Sequence, residues 1–183
     1  AYTSQSVKKN YPKAIELLKT AIATNTKSTD AFISLGKVNF AISNGTEAIK
    51  NYEEALNIDP KNPEALTLKA QVYILIKNYS EAIVLLNEAI NNDPSYSPSY
   101  KMLAELYAEM KDYAKAAEYY LKYIEASIPS PENRKRYAAI LYLNKEYSKA
   151  FETFTKGFEE FPTYTRFWYH LGANCLSAKK YEE

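Results

Sequence analysis

The sequence holds one histidine, His170, and one cysteine, Cys175, so the side chains best suited to proton transfer, nucleophilic attack and zinc binding occur once each. A lone imidazole has neither a partner ligand nor a base to relay its proton, and one thiol makes no disulfide framework and no cysteine-only metal site. Cys175 reads better as a packing residue than as a nucleophile. The carboxylates that adjoin one another, Glu53-Glu54, Glu159-Glu160 and Glu182-Glu183, read as exposed helix charge and not as an acid–base pair. Asn91-Asn92-Asp93 opens like a calcium loop, but the remaining ligands and the turn glycine do not follow. With 4 glycines and no cluster of them there is no phosphate-cradling loop. The chain is therefore expected to be non-catalytic, with no cofactor and no metal.

A net charge of +1 gives no reason to expect a nucleic-acid backbone as partner. No apolar run approaches the roughly 20 residues that a membrane span needs, so no membrane insertion is expected. Recognition has to come from local patches, and these depend on how the chain is organised.

That organisation is a repeat. Asp59-Pro60 and Asp93-Pro94 are 34 residues apart, and Ile128 and Pro162 continue the step. Small residues recur at Gly36, Ala70, Ala104, Ala138 and Gly172, again at Ala14, Ala48, Ala82, Ala116 and Ala150, and at Ala21, Ala55, Ala89 and Gly157. Large ones recur at Phe32, Leu66, Tyr100 and Trp168, and at Leu18, Tyr52, Leu86, Tyr120 and Phe154. Small beside large in fixed register is the pattern of knobs entering notches. Tyr11, Tyr79, Tyr113, Tyr147 and Tyr181 mark each inter-helix turn, so much of the count of 18 tyrosines is repetition.

Apolar residues spaced by three and four, as in Ala82, Ile83, Leu86 and Ala89, predict helices and not strands. Proline at the first helical turn, as at Pro12, Pro63, Pro98 and Pro131, supports this, because the N–H it lacks would be unpaired there anyway. Helices are expected near 30–43, 46–58, 64–77, 80–92, 98–110, 114–126, 132–144, 148–160 and 165–178. One repeat array is expected over 1–183: a partial unit 1–28, full units 29–62, 63–96, 97–130 and 131–164, and a partial unit 165–183.

The unit from Thr29 carries Phe32, Leu35, Gly36, Ala48, Tyr52, Ala55 and Pro60, and the unit from Pro63 carries Leu66, Ala70, Tyr73, Ala82, Leu86, Ala89 and Pro94. This resembles the tetratricopeptide repeat. The resemblance implies an all-α fold, a right-handed superhelical solenoid of antiparallel helix pairs, acting as a protein-interaction scaffold. Several positions depart from the pattern: Asn39, Lys69 for a leucine, Arg134 for the first aromatic, Tyr123 for a small residue and Ile128 for the proline. Arg134 and Lys69 are expected to run their stems along the core and put their charges in water. Gly45 replaces the turn tyrosine, which predicts a looser turn, with Phe40 filling the gap.

In the family, the first helix of each unit lines a concave groove that takes a protein or peptide segment. By that resemblance the early units would present Ser34, Lys37, Phe40, Ala41, Thr67, Gln71, Ile74 and Leu75. The later ones would present Lys101, Met102, Glu105, Lys135, Arg136, Tyr142, Arg166, Tyr169 and His170, a basic and aromatic end. Lys101, Arg136, Arg166 and His170 fall at offsets similar to the clamp that grips terminal carboxylates in some members, but Glu105 stands where that clamp has asparagine and would repel an acidic guest. The pattern opens inside one unit and breaks off in another, so a piece of a longer protein is expected. The alternative function is a structural or self-assembly module of a larger multidomain protein, with a homo-oligomer formed through exposed terminal repeats.

Overall fold

A computed structural model describes residues 10–164 and 172–173, and every regular element among them is helical. In order these are α1 (Tyr11–Thr24), α2 (Thr29–Ala41), α3 (Gly45–Ile58), α4 (Pro63–Leu75), α5 (Tyr79–Asn92), α6 (Ser97–Glu109), α7 (Tyr113–Ala126), α8 (Pro131–Leu143) and α9 (Tyr147–Glu160), then a 3-10 turn at Pro162–Tyr164. The expected spans agree to within two residues at each end. The expected helix at 165–178 lies outside the described residues except for Gly172 and Ala173, which are helical.

The first helix of each pair stops earlier than the apolar pattern predicts, and the turn explains why. Ser43, Lys77, Lys111 and Lys145 adopt the left-handed conformation, with φ of 64°, 60°, 62° and 63°. This lets the next N–H, from Asn44, Asn78, Asp112 and Glu146, donate back to the carbonyls of Asn39, Tyr73, Tyr107 and Leu141, each at 2.9 Å. Asn44, Asn78 and Asp112 then cap the second helix by accepting from the backbone N–H of Glu47, Glu81 and Lys115. Links this short reverse the chain into helical hairpins.

The turn at Gly45 is no looser than the others, against expectation, because the reversal is made by Ser43 and Asn44 and does not use the absent tyrosine. The space is taken from the next repeat: a Cβ at Gly45 would lie 3.3 Å from Cγ1 of Val72. Phe40 packs on the same cluster of Ala48, Tyr52 and Val72.

The chain divides into two compact units, Ala1–Ser99 and Tyr100–Glu183. In the first, α2 packs on α3, α4 on α5, α1 on α2 and α3 on α4. Its interior is made by the small residues of the repeat, with Ala48, Ala55, Ala70, Ala82 and Ala89 fully buried. Gly36 is the tightest of these positions. Tyr52 lies so close over it that a Cβ would sit 2.7 Å from Cδ1 and 2.9 Å from Cζ of the ring. Thr67 and Ser99 form a buried hydroxyl pair at 2.7 Å, and Thr67 also donates to the Pro63 carbonyl. Helix α1 has no buried residue, although Ala14, Leu18 and Ala21 stand one period before the buried Ala48, Tyr52 and Ala55.

In the second unit α7 packs on α8 and α8 on α9. Tyrosine does part of the work that leucine does earlier: Tyr107 stacks on Tyr119 with ring centroids 5.6 Å apart. Lys115 lies 5.0 Å over the first ring and Lys122 5.2 Å over the second, so the stems add packing while the cations meet the ring faces. The charges expected in water are in fact paired. Arg134 makes a two-pronged bond to Glu160, and Lys69 meets Glu53 at 2.9 Å. With side chains only 23% and 16% exposed, both cations gain more from a carboxylate than from partial hydration.

Two predictions follow from this packing. Gly36→Ala should lower stability by roughly 1–3 kcal/mol, because the ring it strikes is buried and has nowhere to move; denaturant unfolding monitored by circular dichroism checks this. Burial, aided by Glu64 for Tyr52 and Tyr96, pushes Tyr52, Tyr96 and Tyr120 up to about 12 from 10.0. The unfolded chain therefore gives up these protons first, so their contribution to stability is complete below pH 10 and lost by about pH 12. Helix content followed alongside tyrosinate absorbance should fall within that window.

Candidate functional site

The groove residues expected in the first unit are largely committed to structure. Lys37 is exposed and bonded to Glu64. Phe40 is half-buried against the core, and Gln71 and Ile74 are half-buried on α4. Thr67 is 2% exposed and offers no surface to a guest, because its hydroxyl is turned inward to Ser99.

In the second unit the structure gathers Lys101, Lys135 and Arg136 around one cleft of about 350 Å³, completed by Tyr120, Glu132, Asn133 and Ala139. Helix α6 supplies Lys101, α7 supplies Tyr120, and the first three turns of α8 supply the rest. Ser130 sets that entry by accepting from the Asn133 N–H at 3.3 Å. Glu105 stands 3.6 Å from Arg136. Met102 is half-buried on α6, and Tyr142 packs elsewhere, 5.2 Å from the Tyr147 ring. Arg166, Tyr169 and His170 lie outside the described residues.

Tyr123 contacts three of the residues that line the cleft. Lys101 Nζ lies 5.7 Å from its ring centroid and Asn133 Nδ2 donates to its hydroxyl at 3.2 Å. Tyr120 meets it edge-on at 5.4 Å and stacks on Tyr137 at 6.5 Å. Burial, offset by Arg136 and reinforced by Tyr123 and Glu105, pushes Tyr120 up to about 12, so it stays a neutral wall.

A comparison within the chain shows that the fold does not require this chemistry. Two periods earlier the same register positions are Ile33, Ala55, Ala65 and Leu68. The first three form a buried cluster on which Leu68 packs. At the later seam they become Lys101, Tyr123, Asn133 and Arg136. The same helical geometry closes dry in one place and opens into a charged, aromatic cleft in the other.

Lys101, Glu105, Lys135 and Arg136 lie on α6 and α8, while Glu132, Asn133 and Tyr120, which also line the cleft, were not among the expected groove residues. The signal was available in the register: a polar or bulky residue at each position where an earlier unit is small or apolar. A second hollow of about 400 Å³, lined by Tyr11, Pro12, Ile15, Ala41, Ile42 and Ser43, holds no charged side chain. Among the described residues no group of acidic, histidine or cysteine side chains could hold a metal ion, and no helix is long and apolar enough to cross a membrane.

Comparison with known proteins agrees with this architecture. Three family models, each described as tetratricopeptide repeat, match residues 8–63, 43–106 and 97–127. The search of curated proteins gives no match. Among solved structures the chain is similar to MamA, at 21% identity and a TM-score of 0.71, covering 90% of each chain. It is also similar to PilF of Pseudomonas aeruginosa, at 26% identity and 0.70, covering 85% of this chain and 72% of that one. A third is YrrB, described as a TPR protein with an unusual peptide-binding site, at 18% identity and 0.74, covering 91% and 85%. Helix pairs of one period, small residues buried at each crossing and these matches together place the chain in the tetratricopeptide-repeat family, whose fold is that of a protein–protein interaction scaffold.

Proposed function

We propose that the chain binds a peptide or protein segment without chemically altering it, and that the cleft of Lys101, Asn133, Lys135 and Arg136 is its principal contact. The observation that carries this reading is the exchange of a dry seam for a polar one at equivalent register. Burying Ile33 stabilises its seam by of the order of 1.5–3 kcal/mol, and a cation in its place forgoes that. Local choices that run against packing are characteristic of functional sites. The peptide-binding site of YrrB lends the same fold a precedent. A guest groove also suits this chemistry, since charge-assisted bonds strengthen when a bound segment excludes water.

The earlier seam supplies the test. Lys101→Ile, Tyr123→Ala, Asn133→Ala and Arg136→Leu together give the later seam the residues of the first. The variant should be as helical and at least as heat-resistant as the parent, yet lose most of its retention on an immobilised peptide array. Undiminished retention with the fold intact would remove the cleft as the contact surface. The milder Arg136→Glu, which sets a second carboxylate beside Glu105, should weaken retention in the same assay.

A further inference from the structure

The same internal comparison says something about the guest itself, on the reading that this cleft is where a segment binds. In the first unit Lys37 of α2 pairs with Glu64 in the first turn of α4. Two periods on, those positions are Glu105 and Glu132. A cation–anion pair has become two carboxylates. Glu105 has Arg136 within 3.6 Å. Glu132 makes no ion pair among the described residues, and it is exposed on the cleft wall in the first turn of α8. On the α6 side, Lys101 makes no ion pair among the described residues and lies over the face of Tyr123, which takes a cation but leaves its charge uncompensated.

We infer that the guest carries one acidic and one basic side chain next to each other, the acid meeting Lys101 and the base meeting Glu132. The formal charge of the cleft supports this. Lys101, Lys135 and Arg136 stand against Glu105 and Glu132, so a single carboxylate is attracted and a run of them is repelled. A mixed pair answers both walls at once, and it fills the position that Lys37 fills inside the protein at the first seam.

The full chain, immobilised, is offered nonapeptide pools with randomised flanks and a central Glu-Lys, Lys-Glu, Glu-Glu, Lys-Lys or Gln-Gln pair. At least one mixed pool should be retained roughly fivefold more than the Gln-Gln pool, the scale of one partly exposed ion pair, and more than either like-charge pool. Glu132→Gln should remove the contribution of the guest lysine and leave that of its glutamate. Glu105→Lys rebuilds the Lys37–Glu64 arrangement, occupies Glu132 internally and should abolish the same contribution with helicity unchanged. The inference is overturned if the Glu-Glu pool binds best, if the lysine contribution survives in Glu105→Lys, or if no pool is retained. Where the fourfold seam exchange still abolishes retention but no mixed preference exists, the binding function stands and this charge reading alone fails.

Discussion

Two neighbouring helices pack this closely only where one partner steps back to a methyl group or a hydrogen atom. Gly36 does so beneath Tyr52, and Ala55 does so toward Ala65. Everything else in the repeat is arranged around that close approach: tight reversals bring the helices side by side, caps end their unpaired N–H groups, and large residues fill whatever the small ones vacate. Because each seam depends on its own residues, one can be altered while its neighbours stay sealed. Tyr123 is such an alteration. Its ring and hydroxyl engage Lys101 and Asn133, where the alanine at the same register in the first seam packs with Ile33 and Ala65.

The three seams for which register partners are visible form a gradient along the chain. Ile33 and Ala65 are wholly apolar, Thr67 and Ser99 pair two hydroxyls, and Lys101 and Asn133 engage Tyr123 through a ring face and its hydroxyl. Each step keeps the 34-residue register while raising polarity. The middle stage shows that buried polar groups are tolerated in this position when they satisfy one another, since an unpaired hydroxyl there would cost about 1–3 kcal/mol. The final stage satisfies its members less completely, and the surplus is charge directed at the cleft.

Much of the fold was legible in the sequence because it is written in translation: Ala48, Ala82, Ala116 and Ala150 announce their own spacing, and the prolines and capping residues punctuate it. The ends of the first helices were less legible, since Lys77 and Lys111 are ordinary helix formers and nothing in their side chains signals a left-handed turn. Glycine would have signalled it. Gly45 misled for a related reason: its missing side chain is replaced by Val72, a residue 27 positions later, and no local reading could supply that contact. In the site, Lys101 and Arg136 stand out in the sequence as charge, whereas nothing local to Asn133 signals its partner Tyr123 on the preceding helix.

The lysine that stands at three of the four left-handed turns has a further consequence. At Lys77, Lys111 and Lys145 the backbone, not the side chain, does the turning, so these ammonium groups project from rigid corners instead of from mobile loops. Lys111 and Lys145, both exposed and both in the second unit, repeat one turn geometry on successive hairpins. Chemical tags on these two amines would therefore act as a molecular ruler, their separation reporting the stagger between those hairpins.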